Sequence, residues 1–337
     1  MQFTLRFAAL SALISLVTSL SFPVYFNGPY PHPPGPTFDR AVSKLYFHQI
    51  SQRGSVLVFL GDSILTKGVD EAAFEEQTGL RTFKLDIPGS SSALWYLVLK
   101  SNLVPSDPPP RYLVVLFRAT MLTAPAFRVT GPYFGLIDKF AGRKDELLLE
   151  RAYLAQSSPL QTALEMYFPL YTYRAEVRES LDAGLRHTLP GLLDCASACA
   201  DDAMAYALGE VQPDILATFI IQAEQDLYAP EQLDFAAQVE RSFLPEMVRL
   251  AQSRGIQLIF VRTPTRIFPN IGSEPDGLET YMKDLTGYLA ERDIPLLDLG
   301  WVAGIGSEHF TDPHHMSPEG KEIFTAILVD AMKDLLK

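Results

Sequence analysis

The residues with the clearest chemical potential follow two short apolar segments that lie far apart in the chain. In "VLVFLGDSIL" Ser63 comes directly after a strand-like segment, and in "FTDPHHMSPEG" Asp312 stands three residues before His315. A serine becomes a nucleophile when a histidine removes its proton and a carboxylate orients that histidine. These residue types predict a catalytic triad of Ser63, His315 and Asp312.

Both motifs also have alternative interpretations. Gly, Asp and Ser favour turns and helix N-caps, so Gly61, Asp62 and Ser63 would then only begin a helix. His314 directly precedes His315 and is the alternative base, although on an extended loop the two side chains point in different directions. Because strand-end Gly-Asp-Ser occurs together with strand-end Asp-x-x-His, we favour the catalytic interpretation and His315 as the base.

The elements that must position these residues follow from hydrophobic patterning. Short apolar segments alternate with longer amphipathic ones, which is typical of βαβ units around a parallel sheet. The pattern predicts strands at 56–60, 82–87, 112–117, 257–261 and 295–299, and helices at 91–103, 235–253, 277–292 and 318–336. Because the carboxyl ends of parallel strands meet at one edge, a three-layer α/β sandwich brings Ser63 and His315 together.

One segment, from about residue 119 to 234, interrupts this alternation. It has helical periodicity and aromatic clusters such as "MYFPLYTYR". We predict a helical insertion that leaves the carboxyl edge of the sheet and gates the site or binds a partner, or whose aromatic residues pack its own core. Cys195 and Cys199 within it indicate a local disulfide or two small buried side chains, and they make a poor metal site without a nearby His.

A long uncharged N-terminal segment predicts export. Lys, Arg, Asp and Glu are absent between Arg6 and Asp39, and "FAALSALISLVTSLSFPVYF" has the length of a membrane span. Because it lacks an evident small-residue cleavage pattern, we favour an uncleaved signal anchor over residues 1–26, with a cleaved signal peptide and secretion as the alternative. Residues 27–54 are then a Pro-rich spacer and lead-in, and residues 55–337 are a domain outside the cytoplasmic membrane.

The charge balance excludes one class of partner. The 337 residues include 40 acidic and 28 basic side chains, for a formal net charge of -12. A nucleic-acid partner requires a basic face, so we predict no binding to nucleic acid. No motif indicates a cofactor or a metal ion.

Together, "FLGDSIL" and "DPHHMSPEG" resemble the first and last sequence blocks of the SGNH, or GDSL, hydrolase superfamily. The resemblance spans roughly residues 56–336, and the insertion is its least matched part. It implies a flavodoxin-like three-layer α/β fold with a central parallel sheet. It also implies an esterase that forms an acyl-serine intermediate and uses no cofactor.

In that superfamily an oxyanion hole is formed by the backbone N–H groups of the serine and of a glycine and by an asparagine side chain. The resemblance assigns the first two positions to Ser63 and to Gly89 of "KLDIPGSSS". The third block should follow "RYLVVLF", but the sequence continues "RATML", so either Arg118 or Thr120 substitutes, or the activity is slow or specialised. Arg262 in "LIFVRTPTR" either binds a substrate anion or forms structural salt bridges.

The missing third block, the N-terminal segment and the large insertion make the chain more similar to membrane-anchored SGNH-like proteins of bacterial envelope O-acylation, such as D-alanyl-lipoteichoic acid transfer proteins. This resemblance implies a serine esterase or O-acyltransferase acting on acyl esters of an envelope glycan beside a multi-spanning O-acyltransferase. The alternative is a noncatalytic SGNH-fold scaffold or glycan-binding partner of such an enzyme.

Overall fold

The computed structural model describes residues 2–25, 27–143, 145–174, 184, 221–268 and 272–337. The chain divides into two compact units. One comprises Met1–Pro36 and Tyr153–Ile221, and the other comprises Thr37–Ala152 and Gln222–Lys337. The second unit contains the sheet and both sequence motifs.

The second unit is built on a five-stranded, all-parallel sheet. Its strands are β1 (Leu57–Gly61), β2 (Thr82–Asp86), β3 (Tyr112–Phe117), β4 (Gln257–Arg262) and β5 (Leu296–Asp298). They are arranged in the order β2-β1-β3-β4-β5, which is the flavodoxin-like order. Each predicted strand is present with its ends within one residue, and the predicted α/β fold with a central parallel sheet is confirmed.

The helices of the second unit connect and flank these strands, and α1, α8 and α9 belong to the other unit. Their bounds are α1 Gln2–Tyr25, α2 Leu45–Arg53, α3 Ser63–Gly68, α4 Glu71–Thr78, α5 Ser92–Val98, α6 Phe134–Phe140, α7 Glu146–Leu148, α8 Pro159–Tyr167, α9 Pro169–Thr172, α10 Pro230–Leu233, α11 Phe235–Val239, α12 Leu244–Gln252, α13 Asp276–Ala290 and α14 Pro318–Met332. Single π-helical turns at Leu99–Leu103 and Leu149–Tyr153 extend α5 and α7.

Three stretches differ in detail from the sequence pattern. The helices α3 and α4 between the first two strands were not predicted, and the lead-in contains helix α2. The helix predicted over 235–253 is two helices, because Pro245 lies in the first turn of α12 and lacks the N–H that a continuing helix needs. The Ser242 hydroxyl accepts the N–H of Leu244 at 3.2 Å and helps to begin α12.

The core follows the alternation of side chains along the strands. Leu57 and Phe59 of β1 lie in a buried cluster with Phe74 of α4 and Phe324 of α14. Phe59 and Phe74 make an edge-to-face contact with ring centroids 4.8 Å apart, a favoured arrangement for aromatic pairs. β1 and β3 are continuous apolar segments, as expected for central strands that are covered on both faces.

The other unit contains α1, α8 and α9. Part of the Pro-rich stretch lies against α8, since the N–H of His32 donates to the carbonyl of Met166 at 3.0 Å and that of Gly35 to Glu165 at 3.4 Å. Within the described chain, no helix combines the length and apolarity needed to cross a membrane. Cys195 and Cys199 lie outside the described residues, and what was predicted for them stays a prediction.

The junction between β1 and α3 requires a glycine. A Cβ atom at Gly61 would lie 3.0 Å from the Cβ of Leu65 and 3.4 Å from the carbonyl oxygen of Leu116. The first distance is shorter than ordinary van der Waals contact, so the helix can begin directly at the strand end only because no side chain intervenes. This turn is what places Ser63 at the end of β1.

We therefore expect Gly61→Ala to lower the free energy of unfolding by about 1–3 kcal/mol through overpacking. Urea unfolding of the purified protein measures this change. Gly287 is the matched control, because it lies inside α13 with no atom within 4 Å of its built Cβ, and Gly287→Ala should stabilise by about 0.5–1 kcal/mol. Equal effects of the two substitutions would contradict this account of Gly61.

Candidate active site

The Ser63 side chain is placed by a capped helix start. Asp62 is the N-cap of α3, and its carboxylate accepts the N–H of Ile64 at 3.0 Å. The structural interpretation of the motif therefore holds for Asp62, which satisfies a donor that the first turn of a helix leaves unpaired. Ser63 is the first helical residue, and its hydroxyl remains available for chemistry.

The His315 side chain is placed by a tight loop between β5 and α14. Phe310 and Met316 form an antiparallel bridge, and the N–H of Thr311 donates to the carbonyl of His315 at 2.8 Å. Ser317 then caps α14 by accepting the N–H of Gly320 at 3.1 Å. The loop is therefore fixed at both ends, and its backbone sets the direction of the histidine.

The two motifs meet in a continuous chain of hydrogen bonds. The Oγ of Ser63 lies 2.8 Å from the Nε2 of His315, although 252 positions separate them in the sequence. The Nδ1 of His315 lies 2.8 Å from the Oδ2 and 3.1 Å from the Oδ1 of Asp312. The structure thus brings Ser63, His315 and Asp312 together in the order that proton transfer from the hydroxyl requires.

Asp312 is suited to hold the imidazole in one tautomer. Its Oδ1 accepts the N–H groups of both His314 and His315 at 2.9 Å. Burial acts to raise the pKa of Asp312, but these backbone donors and the His315 side chain outweigh it and lower the pKa below its ordinary value. An ionised carboxylate at Nδ1 favours a proton on that nitrogen and leaves Nε2 free to accept from Ser63.

The loop that carries Gly89 is attached to the same strand end as Ser63. The carbonyl of Gly61 accepts both the N–H of Ile87 at 2.9 Å and the hydroxyl of Ser90 at 3.2 Å. Gly89 has a φ of +77°, and an added Cβ would lie 2.8 Å from the ring of Tyr133. Both facts restrict this position to glycine, and the loop stays at the carboxyl edge of β1.

Four charged side chains, each at most 12% exposed, lie directly beside the triad. The guanidinium of Arg128 lies 3.2 Å from the Oδ2 of Asp62 and 2.7 Å from the Oε1 of Glu224, and the Oε2 of Glu224 forms an ion pair with Arg118. We call Asp62, Arg128, Glu224 and Arg118 the buried charge network. Its two positive and two negative groups balance, which is the condition for burying charges at moderate cost.

The sequence alone did not indicate Arg128 or Glu224. Neither residue belongs to a motif, and Glu224 contacts Arg118 and Arg128 at separations of about 100 positions. Ion pairs between residues so far apart in the sequence produce no periodic pattern that a single sequence could reveal. The burial of Glu224 near the end of the predicted insertion would have indicated a functional role. Burial could not be predicted there, because the segment has no clear pattern of helices or strands.

Two other predicted binding residues are engaged by the protein itself. The hydroxyl of Thr120 donates to the carbonyl of Leu227 at 2.6 Å. Arg262 forms ion pairs with Glu274 and, at 3.3 Å, with Asp298. Burial opposes the charge of Arg262, but the two carboxylates outweigh it and raise its pKa. These contacts correspond to the structural salt bridges that the sequence analysis kept as the alternative for Arg262.

The side chain of His314, the alternative base, is directed to the buried charge network. Its side chain is 24% exposed, and its Nε2 lies 4.0 Å from the same Glu224 oxygen that pairs with Arg118. Burial and the positive charge of Arg118 lower the pKa of His314 from 6.5 to about 4, against the opposing effects of Glu224 and Asp312. His314 is therefore neutral at physiological pH, and its contacts lie with the charge network.

No cluster of three His, Cys, Asp or Glu side chains in the described ranges is suited to hold a metal ion. The groups that meet at this site are the serine, the histidine and the neighbouring charged side chains. These groups suit nucleophilic attack on an ester carbonyl followed by transfer of the acyl group.

No protein-family model and no curated protein sequence matches the chain. Similar solved structures include a GDSL-like lipase from Bacteroides thetaiotaomicron, 12% identical over 84% of this chain and 90% of that one, with a TM-score of 0.38. A putative acylhydrolase from Bacteroides fragilis is 13% identical over 88% and 100% of the two chains, with a TM-score of 0.40. A carbohydrate esterase family 3 structure from Talaromyces cellulolyticus is 9% identical over 83% and 98%, with a TM-score of 0.37. TM-scores below 0.5 mark a loose correspondence, so the functional assignment rests on the side chains of this chain.

The environment of His314 has a measurable consequence for stability. The pKa of His314 is about 4 in the folded protein, below the ordinary 6.5. Between these two pH values the imidazole is mostly protonated in the unfolded chain and mostly neutral in the folded chain. Acidification from about pH 7 to about pH 5 should therefore reduce the free energy of unfolding by about 2 kcal/mol through this residue alone. Urea unfolding at the two pH values measures the change.

His314→Gln is the control, because it keeps a polar side chain that does not titrate. The variant should lose about 2 kcal/mol less than the wild type over the same pH interval. The carboxylates contribute to both proteins and cancel in the comparison. An identical loss in both would show that His314 titrates normally in the folded protein.

Proposed function

We propose that the chain is an SGNH-type serine ester hydrolase or O-acyltransferase that acts through an acyl-Ser63 intermediate. The observation that carries the proposal is the hydrogen-bond chain from the Oγ of Ser63 through His315 to Asp312. The resemblance of the two motifs to the first and last SGNH blocks supports it. The flavodoxin-like strand order supports it as well, because such sheets carry their sites at the carboxyl edge.

In the proposed reaction the Oγ of Ser63 attacks the carbonyl carbon of an ester while its proton passes to the Nε2 of His315. The carbonyl electron pair moves to the oxygen, and the carboxylate of Asp312 stabilises the imidazolium that forms. When the oxyanion collapses, the carbon–oxygen bond to the leaving alcohol breaks. The oxygen of the leaving alcohol takes the proton from His315, and the acyl group remains on Ser63 as an ester.

In the second half of the proposed reaction, deacylation of Ser63, the same steps occur with a new acceptor. His315 removes a proton from the acceptor hydroxyl as its oxygen attacks the acyl carbon, and the proton then returns to Ser63. Water as acceptor gives hydrolysis, and a sugar hydroxyl gives O-acyl transfer. The backbone N–H groups of Ser63 and Gly89 are the proposed donors to the oxyanion in both halves.

For the substrate we propose acyl esters of an envelope glycan, with a multi-spanning O-acyltransferase as the partner of this protein. The support is the similarity to SGNH-like proteins of envelope O-acylation, together with the uncharged N-terminal segment and the Pro-rich stretch after it. The alternative, a noncatalytic scaffold or glycan-binding partner, requires that the triad forms no acyl-enzyme. Acylation of Ser63 therefore discriminates the two.

We expect the purified protein to gain one acyl group on Ser63 when it is incubated with p-nitrophenyl acetate. Ser63→Ala should abolish the adduct, because it removes the attacking oxygen. Replacing His315 by Ala should slow acylation by about three to six orders of magnitude, and Asp312→Asn should fall between this variant and the wild type. Intact-protein mass spectrometry and release of p-nitrophenol measure the adduct and its rate.

Two outcomes would contradict this assignment. An adduct of wild-type yield in Ser63→Ala would place the nucleophile elsewhere. A folded wild type that forms no adduct would favour the noncatalytic scaffold. Adding a glycan hydroxyl acceptor to the acylated protein then separates transfer, which yields an acylated glycan, from hydrolysis, which yields the free acid.

We further propose that the N-terminal segment places the catalytic unit outside the cytoplasmic membrane, either anchored or released after cleavage. Fractionation of cells that produce the full-length protein tests this. Recovery in the membrane fraction with protease-accessible catalytic residues supports an anchor, and recovery of a shortened chain outside the cell supports secretion. Full-length protein in the soluble cytoplasm would overturn both forms of the proposal.

A further inference from the structure

Arg118 has unpartnered hydrogen-bond donors in a buried position, where leaving a donor unpaired costs free energy. Its side chain is 2% exposed, and its Nε and Nη1 have no hydrogen-bond partner in the described part of the chain. Burying a charged donor without a partner is unfavourable, because the donor gives up its bonds to water. A chain retains such a group most readily where the donor is needed during catalysis or binding.

The position of Arg118 relative to Ser63 follows from the register of the sheet. β1 and β3 pair in parallel, and Leu60 lies opposite Val115. Ser63 and Arg118 each follow these paired residues by three positions, so both come just after the carboxyl ends of adjacent strands. The carboxyl edge therefore presents a nucleophile on one strand and a guanidinium on its neighbour.

The buried charge network ties Arg118 to the triad from two sides. Glu224, which pairs with Arg118, also pairs with Arg128, and Arg128 reaches the Asp62 carboxylate beside Ser63. The same Glu224 oxygen lies 4.0 Å from the Nε2 of His314, the neighbour of the base. Arg118 is therefore linked through short contacts to the loop of the nucleophile and to the loop of the base.

Two other candidate donors near this edge, Thr120 and Arg128, are occupied. The Thr120 hydroxyl donates to the Leu227 carbonyl at 2.6 Å. Arg128 is engaged by both Asp62 and Glu224. Of the two residues that the sequence offered in place of the missing asparagine, Arg118 alone retains unpartnered donors within the described chain.

We propose that Arg118 is a catalytic residue that donates hydrogen bonds to the oxyanion formed when Ser63 attacks an ester. The proposal rests on the acyl-enzyme function proposed above. It supplies the third donor beside the N–H groups of Ser63 and Gly89. Arg118 keeps its proton throughout, because the negative charge appears on the carbonyl oxygen and disappears when the leaving alcohol departs.

Glu224 has a positioning role in this arrangement. It engages Arg118 and so fixes the planar guanidinium while Nε and Nη1 remain unpartnered. A donor fixed in advance stabilises developing charge better than one that must reorganise, especially where water is excluded. Glu224, which stands near the C-terminal end of the predicted insertion, is in this way part of the catalytic apparatus.

The test compares Arg118→Met and Arg118→Lys with the wild type. We expect the acylation rate constant with p-nitrophenyl acetate to fall about 100-fold to 1,000-fold in Arg118→Met, the effect of removing one oxyanion donor, while KM changes little. Arg118→Lys keeps the charge for Glu224 but lacks the planar set of donors, so its rate should fall at least about tenfold. Thermal unfolding identifies the variants that fold.

Two further readouts separate catalysis from a structural role. Millimolar guanidinium should restore part of the rate in a folded Arg118→Ala variant. A methylphosphonate ester that mimics the tetrahedral intermediate on Ser63 should react more slowly with the Arg118 variants by the same factor as the ester. Arg254→Met is the control, because the side chain of this exposed arginine donates to the Ser106 carbonyl, and its rate should stay unchanged with or without guanidinium.

The outcomes are distinct for the two proposals. Wild-type acylation rates in folded Arg118→Lys and Arg118→Met, or a loss of stability without a loss of rate, would overturn the role of Arg118 alone. Should Arg118→Met not fold, the rate of Arg118→Lys decides the question. A folded wild type that forms no adduct with either reagent would overturn the acyl-enzyme function, and the role of Arg118 with it.

Discussion

The parallel pairing of β1 with its two neighbours is the constraint on which the arrangement of the site depends. Because all five strands run in one direction, every strand-end loop leaves the sheet at the same edge. The β1 loop brings Ser63, the β2 loop brings Gly89, and the β3 loop brings Arg118. Slipping β1 by one residue would turn Ser63 away from this edge and turn the core side chains of the strand to the opposite face.

This constraint also explains why polar groups are concentrated here. β1 and β3 are buried along their whole length, and the buried cluster around β1 is built from large hydrophobic side chains. The charges beside the triad lie beyond the ends of these strands and are mutually paired. The network thus serves a structural purpose as well, since it satisfies Asp62, the N-cap that begins α3 and so positions Ser63.

Much of the fold could be predicted because its signals are local. Each strand is a short apolar segment bounded by turn residues, and Ser317 and Pro318 are a standard helix start. The three triad residues could be proposed because they stand beside such boundaries. Helices α3 and α4 were missed because their segment carries weak amphipathic periodicity. The pairing of Glu224 with Arg118 and Arg128 could not be predicted, because it depends on how the chain returns from the insertion.

The charges around the triad suit the charge separation that ester attack produces. In the proposed reaction a positive charge develops on His315 and a negative charge on the carbonyl oxygen. Asp312 faces the first at 2.8 Å, and Arg118 is the group proposed to face the second. His314 is adjacent to His315, with ring centroids 6.4 Å apart, and a proton on His314 would oppose protonation of the base. Because burial and Arg118 lower the pKa of His314 to about 4, the same guanidinium that would stabilise the oxyanion also keeps a competing positive charge away from the imidazolium.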